Sequence, residues 1–315
     1  MSTPQTLIEA VRQLADPDVC LEIMSKMRWP DGVTCPTCGS RDVSFISTRR
    51  IWECKAKHAK RQFSVKVGTI FEDSPISLDK WLIALWLIAN AKNGISSYEL
   101  AKDLGVTQTT AWFMLQRIRL AMQDDNGGMF GGKVEVDETF IGGKARFMHK
   151  DKRAEKITGS GSVGKVAVMG LLERHGPDKP SRVRTKIVPN TKRGSLSPEV
   201  RLNVAQGSEV FTDALKSYSD LDKDYIHQVI DHAEEYVRGQ IHTNGIENFW
   251  SLLKRAIRGT YVSVEPFHLF RYLDEEGFRF NERNMDDASR FNRVAQGVVG
   301  KRLTYKELIG TTTPG

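Results

Sequence analysis

Three acidic residues, each in a setting that could hold a metal ion, carry the most chemical information in this chain. Asp137 lies in Lys133-Val-Glu-Val-Asp-Glu-Thr-Phe-Ile-Gly-Gly143, and Asp213 ends the run Glu209-Val-Phe-Thr-Asp213. Glu247 lies in His242-Thr-Asn-Gly-Ile-Glu-Asn-Phe-Trp-Ser-Leu-Leu-Lys-Arg255. The first two sit at the ends of strand-like runs and the third near the start of a helix. Carboxylates gathered from separate elements suit Mg²⁺ (or Mn²⁺), a hard cation bound by one or two carboxylates plus substrate phosphates. Two such ions can activate a water and stabilise the leaving oxygen in phosphoryl transfer. Nucleic-acid cleavage or joining is the first chemistry to consider.

The third segment fits a helix. Ile246, Phe249, Trp250, Leu253 and Ile257 recur at spacings of three and four and form one apolar stripe. Glu247, Ser251, Lys254 and Arg258 follow the same rhythm on another face. Two turns separate Glu247 from Lys254, so a metal-holding carboxylate lines up with a cation able to touch DNA phosphate. The alternative is an ordinary amphipathic surface helix with paired charges.

These residues need a scaffold. At 315 residues the chain can form one sizeable core and one or two small modules. Lys133–Phe140 reads as a first strand. Lys165–Glu173 is a near-continuous apolar run suited to a sheet interior, and Arg182–Val188 alternates, with one face toward solvent. Ser197-Pro198 predicts a helix start with proline in the first turn. Ser208–Thr212 and Tyr225–Ile230 read as two further strands, so the order of elements gives a mixed α/β domain. Alternation sends Asp137 and Glu138 to opposite faces, and only one of them should be a ligand. Asp231 and His232 form a rival acidic site at a strand end. Asn244 could assist near the metal or cap the helix; His242 could orient a neighbour, touch DNA or be structural. Lys144–Lys165, basic and glycine-containing, predicts a loop that either closes on substrate or has no function.

The N-terminal third supplies metal and DNA contacts of another kind. Cys35-Pro-Thr-Cys38 followed by Gly39 is half of a zinc ribbon. The second half is Cys54-Lys-Ala-Lys-His58 instead of a second CxxC, so the zinc ligands would be Cys35, Cys38, Cys54 and His58. The alternative is a surface histidine and an incomplete ribbon. Three short strands are predicted around these knuckles, and a module this small needs a metal staple. Cys20 reads as core. Between Arg41 and Lys66 stand eight basic and two acidic residues, a patch able to track phosphates, with Lys57 and Arg61 as candidate contacts. A helix-turn-helix follows: Ser96 and Ser97 cap Tyr98–Leu104, Gly105-Val106 turns, and Thr107 caps Gln108–Met122. In such a motif the second helix enters the major groove, with Gln108, Thr109 and Thr110 at the base edges and Arg117 and Arg119 nearer the backbone or the surface. A plain structural hairpin is the other reading.

Composition narrows the class. Forty-six Lys and Arg against thirty-nine Asp and Glu give +7, an excess that permits nucleic-acid binding. The longest apolar run, Trp81–Ala89, is half the ~18 residues of a membrane span, and no secretory signal is apparent. Four cysteines, three of them clustered, suit metal binding in a reducing cytoplasm.

Val136-Asp-Glu-Thr-Phe-Ile-Gly-Gly143, Phe211-Thr-Asp-Ala214, His242–Arg255, Gly259-Thr-Tyr261 and Tyr272-Leu-Asp-Glu-Glu-Gly-Phe-Arg-Phe-Asn281 occur in one order. In this the chain resembles, from about Trp29 to Asn284, insertion-sequence DDE transposases with an N-terminal zinc ribbon. The resemblance implies an RNase H-like catalytic domain whose first and fourth strands lie side by side. It selects Asp137 over Glu138 and Asp213 over Asp231, with Glu247 as the third acid. It implies a DNA transposase that cuts element ends and joins them to target DNA, using two Mg²⁺ per site and a structural Zn²⁺, with Lys254 and Arg255 on the DNA strand. Double-stranded DNA is the expected partner, a homodimer or higher oligomer the expected state on it, and the cytoplasm and nucleoid the expected place. A sequence-specific regulator and a repair or recombination nuclease are the rival functions. The expected domains are a helical segment (1–30), zinc ribbon (31–68), helix-turn-helix region (69–125), linker (126–132), catalytic domain (133–285) and C-terminal tail (286–315).

Overall fold

The computed structural model describes residues 4–124, 127–142, 165–176, 179–213, 216–230 and 242–310. The chain forms two compact units, Met1–Gln123 with Met285–Gly315, and Asp124–Asn284. The predicted loop up to residue 164 and the rival pair Asp231 and His232 lie outside the described residues.

In the first unit, helices α1 (Leu7–Leu14) and α2 (Pro17–Arg28) start at side-chain caps, Thr6 and Asp16. Three antiparallel strands follow, β1 (Val43–Ile46), β2 (Ile51–Cys54) and β3 (Gln62–Phe63). Trp29, Trp52 and Phe63 pack ring against ring with centroids 5.3–6.2 Å apart. The longest apolar run lies in α3 (Leu78–Asn90), with Trp81, Leu82, Leu85 and Ile88 fully enclosed. Helices α4 (Ser97–Leu104) and α5 (Gln108–Ala121) meet at Gly105, whose φ of +60° is a left-handed conformation suited to glycine. Ser96 and Thr107 cap them by accepting from the amides of Glu99 and Thr110.

Two expectations change here. Arg117 and Arg119 are not at the surface: both are buried, and Arg117 donates to the carbonyls of Ile70 and Glu72. From Met114 to Arg119 every residue of α5 is buried, so this part of the helix is enclosed on all sides; Arg117 pins it to the turn ahead of α3 and lays its guanidinium over Phe113. The C-terminal segment is also more than a tail. Ala288, Phe291, Val294 and Ala295 make an apolar stripe on the helix Asp287–Gln296, buried in this unit with Phe291 against Trp86. Among the described residues no helix is long and apolar enough to cross a membrane.

The second unit is built on five strands: β4 (Lys133–Ile141), β5 (Val166–Glu173), β6 (Arg182–Val188), β7 (Glu209–Asp213) and β8 (Ile226–Ile230). Their spatial order is β6-β5-β4-β7-β8. The first three run antiparallel, whereas β7 lies parallel to β4 and β8 parallel to β7. This is the mixed sheet of an α/β, RNase H-like fold, and the adjacency expected of the first and fourth strands is present. Both faces are covered. Helix α6 (Arg193–Asn203), Tyr218 and Leu221 pack on one; α7 (Asn244–Ala256) and α8 (Leu269–Asn281) pack on the other. Helix α6 begins four residues before Ser197, so Pro198 sits inside it and not in its first turn. Ser197, predicted as its start, is instead buried and donates to Asp220. Asn281, the last residue of α8, uses its side-chain amide as a strand would, pairing with both backbone groups of Val183 on the edge strand β6.

The predicted stripe on α7 is buried: Ile246, Phe249, Trp250 and Leu253 face the sheet, and Ile257 packs alongside. Gly170 on β5 makes this approach possible, because a Cβ there would lie 2.5 Å from Trp250 and 2.7 Å from Ile246. Gly170→Ala should therefore cost about 1–3 kcal/mol in denaturant unfolding by overpacking. Gly128→Ala, with nothing within 4 Å of the added carbon, should change the midpoint little.

Candidate active site

Strand alternation sorts the acids of β4. Even-numbered Val134 and Val136 enter the core under α6, which leaves Glu135 and Asp137 facing α7. The parallel register pairs Lys133 with Glu209, Val134 with Val210 and Glu135 with Phe211. Continued along both strands, that register sets Asp137 level with Asp213 and on the same face. Helix α7 crosses this face and carries Glu247, exposed, in its first turn.

The three carboxylates share an electrostatic environment. Burial pushes the Asp137 carboxyl up to about 6; the Glu138 amide and the Trp250 indole oppose this, while the charges of Asp213 and Glu247 add to it. Asp137 Oδ2 accepts from Trp250 Nε1 at 2.9 Å, and Glu247 Oε1 accepts from the Thr243 hydroxyl at 2.8 Å. On the opposite face Glu138 is pushed up to about 8, by burial and then by Asp213 and Asp137, and its carboxylate accepts from the Tyr218 hydroxyl. Overlapping negative fields at oxygen donors are what a divalent cation relieves. The donor set suits Mg²⁺ or Mn²⁺, although the three acids are not drawn together as tightly as the thiols described below.

Several predicted residues stand elsewhere in the arrangement. Lys254 is half-buried and Arg255 exposed in the last turn of α7, on the helix that carries Glu247. Asn244 is the first residue of α7 and not its cap; Thr243 holds the cap position and turns its hydroxyl to Glu247. His242 orients a neighbour: its carbonyl accepts from Arg174, and its Nδ1 lies 3.2 Å from the same guanidinium. Sequence reasoning missed Glu135, Arg174, Thr243, Tyr218 and the Trp250 indole. Only Glu135 left a trace in the sequence, as an acid inside an apolar strand two residues before Asp137.

The ribbon holds a second cluster. The ligand atoms of Cys35, Cys38, Cys54 and His58 all lie within 4.8 Å of one another, with Cys35 Sγ 3.4 Å from His58 Nε2 and Cys38 Sγ 3.6 Å from Cys54 Sγ. Those separations are close to the edges of a tetrahedron around one zinc ion. His58 Nδ1 sits 2.5 Å from the Ala59 carbonyl, a hydrogen bond that leaves Nε2 for the metal. The extra residue of the second knuckle is thus accommodated, and among the described residues this is the one group so closely drawn together. Burial works against a thiolate at Cys35, but the amides of Cys38 and Thr37 and the neighbouring thiols outweigh it and bring the group down to about 6.

The candidate DNA contacts differ in their present partners. Lys57 is exposed between β2 and β3. Arg61, also exposed, donates to the Cys54 carbonyl and lies 3.5 Å from Glu53, so it braces the zinc knuckle as well. At the start of α5, Gln108 donates to Ser97 and Thr110 bonds Thr107, while Thr109 is exposed.

Comparison with known proteins agrees with this layout. Residues 16–59 match a transposase zinc-ribbon domain, and residues 129–281 match the ISXO2-like transposase domain. A protein in transposable element ISH50 of Halobacterium salinarum is 26% identical over 247 residues, 74% of this chain and 80% of its own. A transposase-like protein of Haemophilus influenzae is 33% identical over 120 residues, 38% of this chain and 95% of its own.

Metal analysis of purified protein should find about one zinc per chain, as a closed four-ligand site requires. Cys38→Ser should release it and unfold the ribbon while the sheet of the second unit keeps its unfolding transition. Wild-type protein that retains no zinc would refute the assignment.

Proposed function

Because the chain belongs to the ISXO2-like transposase family with an N-terminal zinc ribbon, we propose that it cuts DNA at the ends of its element and joins them to target DNA, with Asp137, Asp213 and Glu247 holding two divalent ions, Mg²⁺ or Mn²⁺. What supports this is the parallel pairing of Glu135 with Phe211, which, continued two residues along both strands, brings Asp137 level with Asp213, together with the first-turn position of Glu247 on α7. When bound, such ions neutralise phosphate charge and lower the cost of deprotonating water or a 3′-hydroxyl. The same site serves both steps, hydrolysis at the element end and attack by the freed 3′-hydroxyl on a target phosphodiester, and no covalent protein intermediate is needed.

The chain's own residues supply position. Trp250 holds one Asp137 oxygen by its indole N–H, leaving the other for an ion. Thr243 donates its hydroxyl to one oxygen of Glu247. Lys254 and Arg255 hold the strand through its phosphates. In the first unit the ribbon tracks the backbone through Lys57 and Arg61, and α5 presents Gln108, Thr109 and Thr110 to base edges. Two element ends call for at least two copies of the chain on DNA.

Asp137→Asn, Asp213→Asn and Glu247→Gln keep shape and remove charge. Each should lower Mg²⁺-dependent cleavage and joining of end DNA by about a hundredfold or more, a loss of roughly 3 kcal/mol or more of transition-state stabilisation, while end binding persists. Lys254→Ala should lose about tenfold, roughly 1.4 kcal/mol, and Asp231→Asn far less. Wild-type cleavage by Glu247→Gln together with loss in Asp231→Asn would overturn the ligand assignment.

Alanine at Gln108, Thr109 and Thr110 should reduce discrimination of end DNA from random DNA by roughly 1–3 kcal/mol per lost base contact. Lys57→Ala should weaken binding to any sequence and flatten its salt dependence. Competition binding at two salt concentrations separates the two, and equal losses on all DNA would refute the division.

A further inference from the structure

Glu135 is almost wholly enclosed, at 1% exposure, in the middle of a sheet covered on both faces. A carboxylate there costs several kcal/mol unless paired and hydrogen-bonded. Its partner is Arg174, just past the end of β5, whose Nε donates to Glu135 Oε1 at 2.7 Å and which is itself largely buried. The other oxygen, Oε2, accepts from the amide of Ile246 at 2.9 Å. That amide is one of the first-turn donors of α7 that no preceding carbonyl can reach. Thr243, at the cap position, makes no side-chain cap bond. The cap comes instead from a strand 111 residues away, and its negative charge also suits the positive end of the helix. Gly245 leaves the room for it: a Cβ there would lie 2.9 Å from Glu135 Oε2 and 3.0 Å from Leu172.

Arg174 extends the connection. Its guanidinium donates to the His242 carbonyl, one residue before the cap of α7, and lies over the Phe211 ring, 4.1 Å from its centroid. The pair therefore touches β4 two residues before Asp137, β7 two residues before Asp213, and α7 one residue before Glu247. Residues two apart on a strand share a face.

We propose that the Glu135–Arg174 ion pair is the positioning element that fixes the three metal-binding carboxylates relative to one another, chiefly by fastening the first turn of α7 to β4. This rests on the proposed role of Asp137, Asp213 and Glu247. Neither residue of the pair is a ligand. Their effect acts through the placement of Glu247, and it shows first in how much metal the site needs.

The test compares wild type, Glu135→Gln, Arg174→Lys and the charge-free double variant Glu135→Leu/Arg174→Met, all as full-length zinc-loaded protein. Replacing both members avoids leaving one buried charge alone. Amide hydrogen exchange over residues 244–250 should accelerate at least about tenfold in the double variant, while β4 and β5 stay protected. Half-saturating Mn²⁺ for end cleavage should rise about tenfold, with kcat at saturating Mn²⁺ much less affected. Glu135→Gln, which keeps an oxygen for the Ile246 amide, should fall between. Should the double variant fail to fold, the two single variants give the same readouts. Unchanged exchange at 244–250 in a folded variant overturns the proposal, and so does faster exchange with an unchanged Mn²⁺ requirement. Full cleavage by Glu247→Gln would instead sink the reading of the triad, and exchange alone would then judge the clamp.

Discussion

The central strand β4 is covered on both faces, yet it carries acids at positions 135, 137 and 138, the first buried and the other two half-buried. How each is accommodated determines most of the second unit. Glu135 is neutralised by Arg174 and by the end of a helix, Asp137 is held by an indole N–H, and Glu138 meets a buried tyrosine on the far face. Leaving one buried carboxylate without its partner costs about 3–5 kcal/mol, a large part of a domain's net stability of roughly 5–15 kcal/mol. The helix over β4 is thus held by polar geometry as much as by its apolar stripe. Its contacts are specific: Gly170 admits Trp250, and Gly245 admits Glu135. An apolar stripe alone would allow the helix to slide or rotate. The capped amide and the indole hydrogen bond hold it in one position, and Glu247 travels with it.

The same logic divides the two units. The ribbon has too little apolar area to hold itself, and three thiols with one imidazole converge to supply what a core would. The helical part of the first unit depends on burial instead, with Trp81 and Trp86 enclosed and the C-terminal helix adding Phe291. On α5, Arg117 and Arg119 are buried and serve packing, whereas Thr109 at the start of the helix is exposed.

Much of this was legible in the chain. All five strands of the sheet were located to within about a residue, Arg182–Val188 by its alternation and Lys165–Glu173 by its near-continuous apolar run. The spacing of Ile246, Phe249, Trp250 and Leu253 marked the inward face of α7 for the same reason. The zinc ligands could be read because knuckle spacing is set by chain geometry around one ion, even with histidine in the fourth place. What escaped were contacts between residues far apart in sequence. Nothing local to Glu135 indicates that its oxygens meet an amide at 246 and a guanidinium at 174. Only the packing shows that α5 is enclosed on all sides where it carries Arg117 and Arg119, and Pro198 suggested a helix start that the chain had already made at Arg193.

The proposed chemistry requires that Asp137, Asp213 and Glu247 hold divalent ions together. Mn²⁺ titration followed by electron paramagnetic resonance, on zinc-loaded full-length protein with end DNA, tests this directly. The wild type should bind two Mn²⁺ per chain and Asp137→Asn/Glu247→Gln should lose them, with zinc content and DNA affinity unchanged. Mn²⁺ binding of the same strength and number in that variant would contradict it.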